Sequence, residues 1–462
     1  MISVLSFVLP YSLLLYFLIR SLKQPIYLLG VPFLMFFRYC IFFENVKIFS
    51  VPGRYGTDFL FAVWMIIFGI ILKVINNSQF RAQNNRDYIK NERNSLDYIV
   101  IGLVIISIID LIIVYIEYLR IENVFIEFLT IFSLFFGYFI VKDVFRYNRP
   151  KLIADFLFAI VLVNTLASCF YILHQGLHLA IYHNDEYLSE IFQDQIITRT
   201  LWFMPPLCFF SISYLLVFRK GKTALFLLLA IINLLALFIS YTRSYLIIIV
   251  IVILLYYLLE AYKNKTIYSA AKNIILTCII ALILFVAVAK IFPANTSYFF
   301  SRFVELKQGL HNEETNSLLY RFSKTGEIID KIETDKLILG YGPVNEIQSP
   351  LVSNMRIVTW DLVWTGVIFR WGIIGLVLFI LLYIASILKA FTLFMKRDDV
   401  LSKLASMLLL VIVSQLLESF VSSTFLSSER FGLGLWYFGM LSALILADKN
   451  YNDSLNDDQS HK

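Results

Sequence analysis

Charge is scarce in this chain. Asp, Glu, Lys and Arg together make up 16% of its 462 residues, where a soluble globular domain carries about 25%. Histidine is scarcer still, at five: His174, His178, His183, His311 and His461. Three of these fall in segment 174–199 near Asp185 and Glu186; they read as solvated polar residues, and no metal site is expected. The four cysteines (Cys40, Cys169, Cys208 and Cys278) each lie inside an apolar run and form no C-x-x-C. That excludes a thiol-redox motif or a cysteine-rich zinc site and leaves four small apolar fillers. Phosphate-loop, G-x-G-x-x-G, H-E-x-x-H and G-x-S-x-G patterns are missing as well. Nucleotide-driven, dinucleotide-dependent, zinc-protease and serine-hydrolase chemistries lose their usual sequence support. No tandem repeat of 20–50 residues is present. The first apolar run has no basic segment before it and no small-residue cleavage site, so it reads as a retained span.

What fills the chain is hydrocarbon. Hydrophobic residues reach 59%, aromatic residues 16% with 43 Phe and 27 Tyr, and mean hydropathy is +0.77. One aqueous core cannot hide that much apolar surface, so lipid is its solvent. Runs long enough to cross about 30 Å of hydrocarbon lie at 3–19, 25–43, 58–75, 98–116, 124–141, 152–173, 200–218, 223–240, 245–260, 274–291, 363–388, 404–420 and 431–447. The expected fold class is all-α: a polytopic bundle of roughly 12–14 transmembrane spans with one large, partly helical extracytoplasmic loop. The corresponding divisions are residues 1–291, the loop 292–362, the spans of 363–447, and a polar tail, 448–462, expected to be disordered and cytoplasmic.

The formal charge of +6 is distributed as topology signals rather than as a nucleic-acid surface. Basic clusters occupy alternate connections: Lys73 to Arg93, Lys142 to Lys151, Arg219 to Lys222, Lys263 to Lys272 and Lys389 to Lys403. The positive-inside rule makes these cytoplasmic. Segment 174–199, the turn 241–244 and the loop 292–362 then share the outer face. In the loop, Leu318, Leu319, Phe322, Ile328, Ile329 and Ile332 recur at helical spacing, which predicts an amphipathic helix.

Three arginines of the outer set stand out: Arg199, Arg243 in Ser240-Tyr-Thr-Arg-Ser244, and Arg321 on the loop helix. Guanidinium groups grip phosphate oxygens in pairs and keep their charge near a membrane. The alternative for each is a helix-end anchor or a lipid-headgroup contact. Arg243 departs most from that alternative, because a basic residue in a tight outer turn runs against the topology bias. Acidic residues inside spans are Asp110, Glu127, Asp155 and Glu418. Each is costly there and therefore a functional candidate, with snorkelling at span ends as the other reading.

These features in this order resemble the O-antigen polymerase/ligase superfamily, mainly over residues 195–390. The resemblance rests on four pieces: the Ser-Tyr-Thr-Arg-Ser turn; Arg321, its helix and Leu339-Gly340-Tyr341-Gly342; Trp360-Asp361 leading to Arg370-Trp371-Gly372-Ile-Ile-Gly375; and Arg199 with Pro205 and Pro206. Ligases of the superfamily carry a histidine about eleven residues before the first glycine of the last motif, where this chain has Asp361. That favours a polymerase.

The resemblance implies a metal-independent glycosyltransferase with no cofactor. It would join polyprenyl-pyrophosphate-linked oligosaccharide units into O-antigen, capsule or exopolysaccharide at the outer face of the bacterial plasma membrane. Arg243, Arg321 and Arg199 would hold pyrophosphate, and Asp361 would act as base or orient the acceptor. Gly340 and Gly342 would shape the loop, while Tyr341, Trp360 and Trp364 would stack on sugars unless they belong to the interfacial aromatic belt. Implied partners are membrane lipids, a chain-length regulator and a flippase, with no nucleic acid. A ligase of the same superfamily and a lipid-linked oligosaccharide transporter are the alternatives.

Overall fold

The structure, a computed structural model, describes residues 2–35, 67–72, 74–75, 93–118, 121–146, 148–177, 189–192, 195–198, 205–219, 223–240, 242–291, 336–342, 363–420 and 428–460, with isolated positions between 293 and 334. The architecture is a helical bundle with one small hairpin. The helices are α1 (Ile2–Lys23), α2 (Gly30–Met35), α3 (Ser95–Tyr118), α4 (Ile121–Arg146), α5 (Pro150–Leu177), α6 (Pro205–Phe218), α7 (Thr223–Ile239), α8 (Arg243–Asn264) and α9 (Ile267–Ile291). After them come the single turn α10 (Lys336–Leu339), then α11 (Val363–Lys396), α12 (Val400–Ser419) and α13 (Ser428–Ser460).

Among the described residues, five stretches are both long and apolar enough to span a bilayer: Ser95–Ile113, Pro150–His174, Ser244–Asn264, Val363–Lys396 and Val400–Ser419. Their outward faces carry large apolar side chains such as Ile105, Ile112, Ile247, Leu258, Ile384 and Leu388, all exposed. Such faces suit lipid and not water.

Three local departures from the sequence expectations have simple causes. The run at 25–43 begins as a 3₁₀ turn, Pro25–Leu29, before the short helix α2; Pro25 supplies the turn's first residue, where its missing N–H costs nothing. Segment 174–199, expected as a loop, starts with the last turn of α5 and contains an antiparallel pair, β1 (Ser189–Phe192) and β2 (Gln195–Thr198), with Ser189 opposite Thr198. The third departure concerns the end of the chain. Instead of a disordered tail from Asp448, α13 continues to Ser460. No glycine or proline interrupts the sequence there, so the two residue types that most strongly stop a helix are missing from it.

The chain divides into two compact units. One is built mainly from Phe158–Phe322, the other mainly from Ser6–Arg38, Phe42–Leu157 and Ser323–Lys462. Within the first, α5, α6 and α7 are joined by a buried polar network. Asn164 Nδ2 donates to Asn233 Oδ1 (2.8 Å) and to Ser211 Oγ (3.0 Å), and Asn233 Nδ2 donates to Thr165 Oγ1 (2.9 Å). Helices in lipid lack a hydrophobic reason to associate, and such bonds contribute about 0.6 kcal/mol each on average.

In the second unit the equivalent tie is ionic. Asn94 caps α3 with its side-chain oxygen on the Leu96 N–H (3.0 Å), and Asp97 reaches back to the Asn94 N–H (2.7 Å). This is a reciprocal capping box. The same Asp97 carboxylate accepts from Lys142 Nζ (2.6 Å), Tyr138 Oη (2.8 Å) and Ser442 Oγ (3.0 Å). One buried acid thereby pins α3, α4 and α13. The backbones of α4 and α13 also approach closely: a Cβ on Gly439 would lie 2.5 Å from the Tyr138 carbonyl oxygen. At the other end of α11, Arg397 bonds Asp448 of α13 and Asp399, the cap of α12.

Removing one partner of a buried ion pair costs about 3–5 kcal/mol. Lys142→Met is therefore expected to lower the thermal midpoint of the purified protein in nanodiscs by several degrees. An unshifted midpoint would show that the Asp97 junction holds nothing together.

Candidate functional site

The Ser-Tyr-Thr-Arg-Ser stretch forms the break between α7 and α8. α7 stops at Ile239, and the Ser240 hydroxyl donates back to the Leu237 carbonyl (2.7 Å). Thr242 is extended (φ −96°, ψ 101°), its hydroxyl donates to the Ser240 carbonyl (3.2 Å), and its own carbonyl accepts from the Tyr245 N–H (3.1 Å). Arg243 is the first residue of α8, and the Thr242 side chain makes no capping bond to that helix end. A helix start presents unsatisfied N–H groups and a partial positive charge. An arginine there works against helix stability. Together the uncapped end and the basic residue favour an anion.

The second feature is a backbone clamp in the other unit. α11 is broken at Gly372, whose φ of 62° and ψ of −165° are not helical. The break releases carbonyls from the i→i+4 ladder, and a released carbonyl at membrane depth must find another donor. Two donors come from the chain just after α10. Tyr341 N–H donates to the Phe369 carbonyl (2.8 Å) and Gly342 N–H to the Arg370 carbonyl (3.0 Å). The Gly340 N–H closes α10 on the Lys336 carbonyl (2.6 Å). Gly340 and Gly342 take φ of 84° and 68°, a region in which side chains are strained.

The approach at the clamp is backbone against backbone. A Cβ on Gly340 would sit 2.5 Å from the Arg370 carbonyl, and one on Gly372 would sit 2.1 Å from the Ile338 oxygen. Tyr341 is 5% exposed, and its ring stacks on Phe369 with centroids 4.8 Å apart. The Leu-Gly-Tyr-Gly run and the Arg-Trp-Gly run, separate motifs in the sequence, are the two halves of this one contact.

Trp364, at the start of α11, packs on Phe379 (5.8 Å) and Phe420 (5.2 Å). It borders an apolar groove of about 310 Å³ that is also lined by Ile380, Tyr383, Ile384 and Leu416. Its buried indole Nε1 has no bonding partner among the described residues. Nearby polarity on α12 was only half visible in the sequence. Glu418 is fully buried, not snorkelling, and one turn before it Gln415 is fully buried with neither amide atom bonded among the described residues. The spacing of i and i+3 that places both on one helix face was the available signal. Asp155 is exposed and Asp110 is buried. Arg199, Arg321, Trp360 and Asp361 lie outside the described residues, as do His178, His183 and most of the expected loop helix.

The clamp depends on a bare Cα at Gly372. Gly372→Ala is expected to release the Tyr341 and Gly342 amides, seen as faster hydrogen exchange in a peptide covering 336–342. Amides of α8 should keep their protection; an unchanged exchange rate at 336–342 would contradict the geometry.

A comparison with protein families matches residues 226–380 to the family described as O-Antigen ligase. The matched stretch is about a third of the chain. It runs from α7 into α11, and so includes the Arg243 turn and both halves of the clamp. No curated protein matches the chain. The match over residues 226–380, with five helices among the described residues long and apolar enough to cross a membrane, is consistent with a multi-pass member of the O-antigen polymerase/ligase superfamily.

Proposed function

We propose that this protein is a polysaccharide polymerase of the bacterial plasma membrane. It transfers a growing glycan from its polyprenyl-pyrophosphate carrier to a hydroxyl of an incoming lipid-linked repeat unit, at the extracytoplasmic face. The observation that carries this reading is the glycine clamp inside the family-matched stretch. The clamp returns the chain after Gly340 to a broken membrane helix, and a transporter has no evident need for it.

In the reaction the pyrophosphate leaves as an anion, and the acceptor hydroxyl loses its proton as the new glycosidic bond forms. Arg243, Arg321 and Arg199 stabilise the leaving pyrophosphate. Fixed cationic donors of this kind contribute on the order of 10²–10³ in rate each. Asp361 takes the proton or orients the acceptor. The energy resides in the carrier linkage, so a nucleotide is not needed. The positive-inside rule applied to the alternating basic clusters supports a cytoplasmic C-terminus and an extracytoplasmic 292–362 loop. Ligase activity is the second reading, favoured by the description of the matching family. The aspartate at 361, where ligases have a histidine, argues for the polymerase.

The test is glycan gel analysis of a deletion strain complemented with Arg243→Ala, Arg321→Ala or Asp361→Ala at matched protein levels. A polymerase defect collapses long chains to single repeat units, with polymer expected to fall at least tenfold. Long chains that accumulate on the carrier would assign the ligase reaction instead. Wild-type polymer from all three variants would remove the enzyme reading.

A further inference from the structure

Arg219 follows the last residue of α6, and α8 holds its guanidinium in place. Cζ lies 5.7 Å from the centre of the Tyr256 ring and 5.5 Å from that of Tyr257. Nη1 donates to the Tyr257 hydroxyl (3.2 Å), which pairs with Thr277 Oγ1 of α9 (2.9 Å). Thr277 donates in turn to the Asn273 carbonyl (2.8 Å). Both tyrosines are 4% exposed. A long, rotamer-rich side chain is thus fixed by two aromatic faces and by a chain of hydroxyls that crosses three helices of one compact unit.

Most of the donors on this fixed group are unspent. A guanidinium carries five N–H groups. One is engaged here, and among the described residues Arg219 makes no ion pair with a carboxylate. Glu260, one turn beyond Tyr256 on α8, accepts instead from Asn264 Nδ2 (3.0 Å). Arg219 is half-buried, and a partly desolvated cation without a counter-charge is costly. The described residues supply none, so the anion that fits comes from outside the chain.

Depth identifies that anion. Tyr257 lies seven residues before the end of α8 at Asn264, about 10 Å at 1.5 Å per residue. The turn between α8 and α9 therefore projects beyond Arg219. It exposes Tyr262 (68%), Ile267 (80%) and Tyr268 (86%), a set that suits the headgroup layer of a bilayer better than bulk water. Arg219 is then at the inner edge of that layer, where lipid phosphates are the available anions. Lys220, Lys222, Lys263 and Lys265 accompany it in the sequence and favour an anionic leaflet.

We propose that Arg219, aimed by Tyr256 and Tyr257, binds the phosphate of an anionic phospholipid in the leaflet that the positive-inside rule makes cytoplasmic. The planar fork matches phosphate oxygens in pairs, and the bound lipid joins α6, α8 and α9 at their common end. The site is about 20 Å along α8 from Arg243, so it stands apart from the glycan chemistry proposed above and does not depend on it.

The experiment is native mass spectrometry of the full chain released from phosphatidylcholine nanodiscs with and without phosphatidylglycerol. Wild type is expected to retain phosphatidylglycerol, and Arg219→Gln to retain about tenfold less. Tyr257→Phe keeps the ring but removes the hydroxyl that aims the guanidinium, and its retention should fall in the same direction. Lys272→Gln, at an exposed basic residue of α9, should match wild type. Unchanged retention in Arg219→Gln overturns the proposal, as does unchanged retention in Tyr257→Phe should Arg219→Gln not fold. An equal loss in Lys272→Gln also overturns it, since the attraction would then be diffuse. Excess inorganic phosphate should leave the lipid bound; displacement would assign the site to free phosphate and not to a lipid.

Discussion

A backbone carbonyl at membrane depth needs a donor, and that requirement organises the first turns of α11. Once Gly372 leaves the helical region, the Phe369 and Arg370 carbonyls are deprived of their ladder partners. Lipid offers no substitute. The Tyr341 and Gly342 amides meet the need. The Leu-Gly-Tyr-Gly run is thereby held against the membrane helix, and the chain that leads into and out of it inherits a fixed point. Tyr341 stacking on Phe369 works on the same short segment.

Other joints in the bundle obey the same rule with different chemistry. In one unit two asparagines from α5 and α7 share their amide groups across a helix interface. In the other a single aspartate caps α3 and receives the Lys142 ammonium. Lipid is as apolar as leucine, so shape and satisfied polarity decide which helices pair. Asn, Ser, Thr and Gly accordingly mark these joints among the Leu, Ile and Phe that fill the rest of the buried core.

Much of the helix plan was legible because hydropathy is a direct reading of solvent. The run at 98–116 is α3 and that at 245–260 is α8, with ends shifted by a few residues. The shift at α3 is the work of Asn94, whose cap starts the helix ahead of the apolar run. Short-range features escaped. Strands of four residues, such as Ser189–Phe192, are too brief to show a period. The break in α11 is silent in hydropathy, since a glycine scores alike in a helix and out of one. The site was legible as a set of residues and not as contacts. Gly340 and Gly372 were each flagged, yet that they touch depends on a chain reversal that no local pattern encodes. Asp110 was recognisable as expensive, but not that both its oxygens are buried without a hydrogen-bond partner among the described residues. Tyr341, read as a sugar platform, has its ring stacked on Phe369, a contact no local pattern announces.

The contact between Gly340 and Gly372 also limits how this protein can change. Most steric faults in a core are repaired by trimming a neighbouring side chain. Here the atoms in the way are main chain on both sides, Arg370 for one glycine and Ile338 for the other. No second-site exchange of one side chain for another makes room. Suppressors of a substitution at either glycine must relocate the loop or rebuild the bend, which leaves both positions with almost no mutational escape.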